Sequence, residues 1–359
     1  MMIQTSTSLH TEAIELLKQL IATPSLSKEE DDTAEVIIDF LESHGVTTHR
    51  LHNNIWATNK HFEPGKPTLL LNSHHDTVKP NDGYTRDPHS PEVEDGKLFG
   101  LGSNDAGGPL VSLMATFLHF HNREDLAWNV VFCASAEEEI SGDNGMRAAR
   151  DVLPEFDCAI VGEPTQMKMA IAEKGLLILD CTARGTSGHA AHDGADNAIY
   201  KAMKDIEWFR TFGFSQVSES LGPIKMTVTI INAGSQHNVV PDRCTFTVDV
   251  RTTDAYSLED VLQIIDDHTE SEIAPRSVQL RPSSIPTDHP LVTTGKAMGI
   301  ETYGSPTLSD QSLLPVPSLK MGPGDSNRSH TADEFIKLSE IEEGIDTYIE
   351  LLSKVLTIS

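Results

Sequence analysis

Residues 68–77 read TLLLNSHHDT, a short apolar run that passes directly into polar side chains. Two similar runs follow at Val130–Ala134 and Cys158–Val161, and polar residues again come directly after each of them. Helical patterns lie between the later runs, which is typical of a wound α/β sheet whose strands are buried on both faces. The sequence therefore predicts an α/β domain that contains these three strands.

Helical spacing of apolar residues extends this domain toward both ends of the chain. Residues 11–21 and 341–352 each place apolar side chains on one helical face. Ser27 and Glu30 form a capping-box signature before a further helix, which Gly45 closes. We therefore expect helices to pack against the sheet from both ends of the sequence.

The segment 175–282 follows a different pattern. Phe246, Val248 and Val250 alternate with polar residues, as in a strand with one face in solvent. The order strand-helix-strand-strand-helix-strand is that of a ferredoxin-like α+β domain. Its elements are predicted at 176–183, 196–212, 226–230, 246–250, 257–268 and 277–280. The sequence thus predicts an α/β domain, 1–174 and 283–359, into which 175–282 is inserted.

The composition argues against several classes of partner. The chain has 359 residues and a formal net charge of −27, which disfavours nucleic acid and anionic membranes because both are polyanions. No apolar stretch approaches the roughly 18 residues of a membrane span, and no secretory signal precedes the first helix, so we expect a cytoplasmic protein. The widely spaced cysteines suggest buried free thiols rather than a disulfide framework: Cys133, Cys158, Cys181 and Cys244.

Histidines and carboxylates collect at the predicted strand ends, the edge where open α/β sheets bind ligands. Each has an ordinary structural explanation when taken alone, such as a turn aspartate or a charged loop. Together, two histidines and several carboxylates without a nearby cysteine suit a hydrolytic zinc site. A pair of metal ions needs one bridging carboxylate and terminal ligands on each side. The candidate ligands are His74, Asp105, Glu139, Glu163 and His330.

Two further acidic residues complete this candidate site. Glu138 is left over from the ligand set and suits a general base, because water activated by a metal needs a proton acceptor beside it. Asp76 follows His74 by two residues and can orient its ring through the second ring nitrogen.

Seven short motifs in this order resemble those of the dizinc aminoacylase and carboxypeptidase superfamily, which includes acetylornithine deacetylase, succinyldiaminopimelate desuccinylase and glutamate carboxypeptidase. They span nearly the whole chain and lie at 73–77 (SHHDT), 102–105 (GSND), 136–139 (AEEE), 162–165 (GEPT), 185–189 (GTSGH), 238–241 (NVVP) and 330–334 (HTADE). The resemblance implies a zinc-peptidase-like α/β/α catalytic domain with an inserted ferredoxin-like lid and dimerisation domain.

The resemblance also implies a role for each candidate ligand. One zinc ion would take His74 and Glu163, the other would take Glu139 and His330, and Asp105 would bridge them. Two Zn²⁺ per subunit are therefore expected, with Co²⁺ or Mn²⁺ as possible substitutes for the same imidazole and carboxylate ligands.

Further residues acquire catalytic and substrate roles in the same way. Glu138 would be the base and later the proton donor, and His189 would reach into the partner subunit of a homodimer to polarise the scissile carbonyl. Arg251 and Asn238 match residues that contact the substrate. Taken alone, His189 could be a turn histidine and Arg251 a surface arginine at a strand end.

The substrate class follows from the branch that the chain resembles, that of acetylornithine deacetylase. The chain departs from the common pattern at Leu101, at Ala106–Gly108 and after His189, where a proline is usual. Variants of this kind resemble enzymes that remove acetyl or succinyl from N-acylornithine or N-acylcitrulline in arginine biosynthesis. Arg328 could then pair with a succinyl carboxylate.

Other functions remain open on the same sequence. The same scaffold serves dipeptidases, tripeptidases and succinyldiaminopimelate desuccinylase, so any of these is an alternative. A catalytically inactive metal-binding scaffold is disfavoured, because Glu138 and all five candidate ligands are present together.

Overall fold

The computed structural model describes residues 6–357, so the ends of the predicted α/β domain, residues 1–5 and 358–359, lie outside the described part of the chain. The helices are α1 (Ser6–Ala22), α2 (Asp31–Ser43), α3 (Gly108–His121), α4 (Met146–Ala149), α5 (Ala198–Thr211), α6 (Leu258–His268), α7 (Pro290–Ala297) and α8 (Leu338–Leu356). The strands are β1 (His49–Leu51), β2 (Asn54–Thr58), β3 (Thr68–His74), β4 (Glu92–Glu94), β5 (Lys97–Phe99), β6 (Asn129–Ser135), β7 (Cys158–Val161), β8 (Met169–Glu173), β9 (Gly175–Arg184), β10 (Gly188–His189), β11 (Lys225–Ala233), β12 (Val239–Val240), β13 (Arg243–Thr252), β14 (Glu272–Pro275), β15 (Ser283–Ser284), β16 (Thr302–Ser305), β17 (Ser318–Lys320) and β18 (Phe335–Lys337).

The chain forms two compact units. Of the described residues, the first contains 6–171, 284–303 and 309–357, and the second contains Ala172–Ser283 and Gly304–Leu308. The short segment Gly304–Leu308 returns to the second unit, a feature that the sequence pattern did not indicate.

The first unit is built on a mixed sheet. Six of its nine strands run in the order β1-β2-β6-β3-β7-β17, and the four strands from β6 to β17 are parallel to one another. Every residue of β3 and β6 is buried, as expected for strands that are covered on both faces. Because these strands are parallel, their carboxyl ends meet at one edge of the sheet.

Helices α1, α3 and α8 pack on one another, and α3 packs on β3 and β6. Leu69 and Leu71 of β3 join the core beneath these helices, consistent with the two-residue period of a strand. Ile345 and Tyr348 of α8 join the same core. The apolar patterns at the two ends of the sequence thus close the α/β fold that the sequence predicts.

The second unit has an antiparallel sheet of order β11-β13-β9-β14, together with helices α5 and α6. This strand order and connectivity correspond to a ferredoxin-like arrangement. Alternate residues of β9 and β13 are buried, and Phe246, Val248 and Val250 lie in the core of this unit.

Two local predictions are wrong. The last strand of the second unit is Glu272–Pro275, whereas 277–280 forms no strand. Three of its four residues are exposed and only Ile273 is partly buried, so it carries too little apolar alternation to be recognised. The capping box is also absent, because Ser27 and Glu30 direct their side chains to other partners and no side chain caps α2.

The cysteine prediction is confirmed, since all four cysteines are free and buried. Within residues 6–357, no helix has the length and apolar character needed to cross a membrane.

Candidate active site

The candidate site lies at the carboxyl edge of the parallel strands. His74 is the last residue of β3, Glu138 and Glu139 follow the end of β6, and Glu163 follows the end of β7. Asp105 lies in the turn before α3, and its peptide bond to Ala106 is cis.

His74 occupies the centre of this group. Its side chain is buried, and its Nε2 atom lies 3.3 Å from Asp105 Oδ1. Its Nδ1 atom lies 3.0 Å from the backbone oxygen of Asp76 and 3.4 Å from the Asp76 carboxylate, so Asp76 orients the ring. Burial opposes the charged imidazole, but hydrogen bonds to Asp105 and Asp76 hold the pKa of His74 well above its ordinary value.

In each of two groups of three side chains, the possible ligand atoms all lie within 4.8 Å of one another. One group is His74, Glu138 and Glu163, and the other is His74, Asp105 and Glu139. Burial raises the pKa of the Glu138 carboxyl well above its usual range, and the neighbouring Glu163 and Glu139 add to this effect against the opposing charge of His74. Repulsion among like charges at this spacing is relieved when cations lie among them.

His330 joins the second group from the C-terminal part of the chain. Its Nε2 atom lies 3.0 Å from Glu139 Oε2 and 3.7 Å from Asp105 Oδ2. The hydrogen bond to Glu139 raises the pKa of His330 to about 9, even though partial burial works the other way. All five sequence-predicted ligands and Glu138 therefore lie in one cluster.

The donor chemistry of this cluster fits a pair of divalent cations. It offers two imidazoles and several carboxylates, the nitrogen and oxygen ligands of hydrolytic zinc sites, and the same set also suits cobalt or manganese. Asp105 lies close to both imidazoles, at 3.3 Å from His74 and 3.7 Å from His330. This position suits the bridging role that the resemblance implies for it.

Asp76 does more than orient one ring. Its Oδ1 atom accepts a hydrogen bond from the backbone N–H of Glu138 at 3.0 Å, and its Oδ2 atom accepts one from Glu139 at 3.2 Å. Ser27 Oγ donates to the same Oδ2 atom at 2.7 Å. One buried carboxylate thus fixes the His74 ring and the backbone of the two adjacent glutamates.

A second buried carboxylate supports the same loop from behind. Glu30 Oε1 accepts a hydrogen bond from the backbone N–H of Glu137 at 3.2 Å, and Oε2 accepts one from Asn53 at 2.9 Å. Glu137 has a φ of 54°, a left-handed conformation, and its own carboxylate accepts hydrogen bonds from Asn144. The loop that carries Glu138 is therefore held on both sides.

Glu334 supports the loop of Asp105. Its carboxylate accepts hydrogen bonds from the backbone N–H groups of Gly102 at 3.1 Å, Asn104 at 2.8 Å and Asp105 at 2.9 Å. Burial and the nearby charge of Asp105 raise the pKa of Glu334 to about 8, although the N–H donors counteract this. Gly102 has a φ of 73°, and a Cβ atom there would lie 2.5 Å from Thr77 Cγ2, so only glycine fits.

Asn104 connects the loop of Asp105 to the segment that precedes His330. Its side-chain amide donates to the backbone oxygen of Asp325 at 3.1 Å and its side-chain oxygen accepts from the Asp325 N–H at 2.9 Å. Asp325 in turn accepts a hydrogen bond from Gln166, three residues after Glu163, at 2.7 Å. Three ligand-bearing loops are thereby joined.

Sequence reasoning missed several of these supporting residues. Glu334 and Asn104 stand inside two of the seven motifs but received no role, and their membership of those motifs was the available signal. Ser27 and Glu30 were assigned to a helix cap because their spacing fits one. In the structure Ser27 donates to Asp76 instead, and Glu30 accepts the Glu137 N–H.

Three of the remaining predicted site residues lie in the second unit. His189 is exposed, pairs with Val239 in the small sheet of β10 and β12, and accepts a hydrogen bond from the Ala191 N–H at 3.1 Å. The backbone oxygen of Asn238 accepts the Ala190 N–H at 3.0 Å, so His189 and Asn238 belong to one local structure. Arg251 is paired with Asp249 at 2.9 Å and remains partly exposed.

Arg328 has a partner other than the expected succinyl group. Its two terminal nitrogens bind the Glu340 carboxylate at 2.7 and 2.9 Å, and its guanidinium lies 4.7 Å from the centre of the Phe335 ring. In this structure the ion pair lets Arg328 secure the start of α8. The pairing of Arg328 with a succinyl carboxylate stays a prediction.

Comparison with known proteins gives consistent similarities. Residues 70–354 match the profile of peptidase family M20/M25/M40. Acetylornithine deacetylase from Proteus mirabilis is 29% identical over 369 residues, which covers 92% of this chain and 93% of the relative. Succinyl-diaminopimelate desuccinylase 2 from Ruegeria sp. is 27% identical over 280 residues, covering 72% and 69%.

Two solved structures share the fold. A tripeptidase from Staphylococcus aureus superposes with a TM-score of 0.78 at 18% identity, covering 96% of this chain and 98% of that chain. A Bacillus subtilis protein described as a dinuclear metal binding peptidase from the M20 family gives a TM-score of 0.71 at 16% identity, covering 98% and 100%. At these identities the likeness concerns the fold.

Proposed function

The chain belongs to peptidase family M20/M25/M40 and is a metal-dependent hydrolase of amide bonds; we propose that it removes the acetyl or succinyl group from N-acylornithine or N-acylcitrulline in arginine biosynthesis. The observation that carries this proposal is the cluster of two imidazoles and four carboxylates, in which Glu138 is one carboxylate more than two metal ions require. The acetylornithine deacetylase relative, similar over nearly the full chain, supports the substrate class.

We assign the metal ligands as the sequence suggested. His74 and Glu163 would hold one zinc ion, Glu139 and His330 would hold the other, and Asp105 would bridge them. When bound, the ions supply Lewis-acid polarisation of the amide carbonyl and of the attacking water. Cobalt or manganese would serve the same ligands.

The residues of this chain then carry the protons. Glu138 would accept the proton of the attacking water and return it to the leaving amine, as a general base and then a general acid. Asp76 keeps the backbone of Glu138 in place through the 3.0 Å hydrogen bond to its N–H. His189 would stabilise the oxyanion from the partner subunit, while Arg251 and Asn238 would bind the amino-acid part of the substrate.

We further propose a homodimer formed through the second unit, which would act as lid and dimerisation domain. Strand β11 is an edge strand with Ile230 and Ile231 exposed to 51% and 53%, and α5 exposes Tyr200 and Met203 to 67% and 57%. An unpaired edge bearing apolar side chains is a template for pairing with a second copy. Four buried free thiols fit a reducing compartment, so we place the protein in the cytoplasm.

The test is a panel of amides with the zinc-loaded protein. N-acetylornithine, N-acetylcitrulline, their succinyl analogues, succinyldiaminopimelate and several di- and tripeptides are compared by kcat/KM. Dominance of one acylornithine or acylcitrulline would support the proposal. Cleavage of peptides or of succinyldiaminopimelate alone would show a different substrate on the same site. No cleavage by zinc-loaded protein would refute amide hydrolysis.

A further inference from the structure

We propose that Glu334 is a positioning residue that fixes the bridging carboxylate of Asp105 for metal binding. Glu334 closes the last of the seven motifs, four residues after His330, and its side chain is only 2% exposed. Its hydrogen bonds to the Asp105 loop all come from backbone N–H groups, so it holds the backbone of that loop.

The carboxylate of Glu334 holds three N–H donors that lie within four residues of the chain. Glu334 Oε1 accepts the N–H groups of Asn104 at 2.8 Å and Asp105 at 2.9 Å, and Oε2 accepts that of Gly102 at 3.1 Å. Asp105 is the residue that would bridge the ions. The hydrogen bond to its N–H therefore fixes the backbone position from which the Asp105 side chain extends.

The segment that carries Glu334 is itself anchored. The backbone oxygen of Glu334 accepts the Gly100 N–H at 3.0 Å, and Phe335, the next residue, pairs with Phe99 in β5. The same segment holds His330, which lies 3.7 Å from Asp105 Oδ2. One short stretch of chain therefore sets the positions of two candidate ligands relative to each other.

Only a carboxylate can hold all three donors in this way. Three N–H groups converge on two oxygens, whereas an amide in the same place would turn an NH₂ donor toward one of them. A negative charge beside Asp105 is unfavourable in the protein alone, but it becomes favourable when cations occupy the cluster. A residue with a purely structural role would have no such link to metal.

The preceding residue, Asp333, provides a matched control. Asp333 accepts the N–H groups of Thr85 at 2.9 Å and Arg86 at 3.0 Å, together with the Thr85 hydroxyl. It thus uses the same kind of bonds as Glu334 on a neighbouring loop that carries no candidate ligand. Asp333→Asn therefore weakens the support of the loop at Thr85 and Arg86, whereas Glu334→Gln weakens the support of the Asp105 loop.

The experiment compares zinc binding by metal-free wild type, E334Q and D333N, with a competing chelator, alongside thermal unfolding of the metal-free proteins. We expect E334Q to bind zinc roughly 10- to 100-fold more weakly, the range found when partners of metal ligands are lost. D333N should keep wild-type zinc affinity. A merely structural role would lower the unfolding temperature of E334Q and leave the zinc affinity of the folded protein unchanged, which would overturn the proposal.

If E334Q folds only with metal, the zinc concentration that refolds each chain replaces the affinity, and equal values for E334Q and D333N would overturn the proposal. If it fails to fold even then, Glu334→Asp, which keeps the charge on a shorter side chain, enters the same comparison. The inference rests on the proposed function only when the kinetics of amide hydrolysis are also measured. There E334Q should lower kcat and leave KM nearly unchanged. Inactive zinc-loaded wild type would refute the proposed function, while the zinc measurements would still decide the role of Glu334.

Discussion

Replacing Asp76 by alanine removes the buried carboxylate that supports the first half of the site. The side chain is 1% exposed, and its oxygens accept hydrogen bonds from the N–H groups of Glu138 and Glu139 and from the Ser27 hydroxyl. Each buried donor left without a partner costs about 1–3 kcal/mol. With two backbone donors affected and some relaxation, we expect the free energy of unfolding to fall by about 3 kcal/mol.

Activity should fall further than stability. Loss of a partner that orients a ligand such as His74 costs roughly 10- to 100-fold. Misplacement of a catalytic group such as Glu138 by about 1 Å costs on the order of 100-fold. The two effects share one cause, so we expect kcat/KM of Asp76→Ala to fall roughly 10³-fold rather than by their full product.

The assay measures kcat and KM on the best amide of the panel, zinc content and urea unfolding of the same samples. Ser27→Ala is the matched control, since it removes one donor to Asp76 and leaves the carboxylate in place. It should cost about 1 kcal/mol and less than tenfold in activity. Wild-type kcat and zinc affinity in Asp76→Ala would refute the reasoning that this carboxylate positions His74 and Glu138.

Three other perturbations test separate parts of the account. Arg328→Ala should lower the free energy of unfolding by about 1 kcal/mol, because it removes the partly buried ion pair with Glu340. The ratio of succinyl to acetyl turnover should stay as in wild type. A change in that ratio would support a substrate role for Arg328. Ile231→Lys should convert a dimer to a monomer in light scattering, because it places a charge on the exposed edge of β11; an unchanged dimer would place the interface elsewhere. His189→Ala should lower kcat by roughly 10²–10³, as for a lost oxyanion donor, with zinc content unchanged; unchanged kcat would leave it a turn histidine.

The fold class could be predicted because its signals are local and repeated. Buried strands such as Thr68–His74 read as continuous apolar runs, and Phe246–Val250 alternates along one face, so both patterns survive in a single sequence. The strand Glu272–Pro275 was not predicted because only Ile273 of its four residues is even partly buried, which leaves no repeated apolar pattern. The return of Gly304–Leu308 to the second unit depends on packing between distant segments, which periodicity does not report.

The site was harder to predict in its supporting residues than in its candidate ligands. Histidine and glutamate at strand ends can be recognised from their position alone. The residues that support the loops of Asp105 and Glu138 lie far away in the sequence, and Glu334 is 230 residues from Asn104, which it binds. Their contacts are to backbone N–H groups, which every residue carries and which therefore leave no mark in the sequence.

The most direct test of the central claim is a comparison of Glu138→Gln with Glu139→Gln, in zinc content and in kcat. If Glu138 carries the proton and Glu139 is a ligand, Glu138→Gln keeps its zinc and loses roughly 10²–10⁴ in kcat, while Glu139→Gln loses zinc as well as activity. Near-wild-type kcat in Glu138→Gln would contradict the account. Loss of zinc from Glu138→Gln to the same extent as from Glu139→Gln would make Glu138 a ligand rather than the proton carrier.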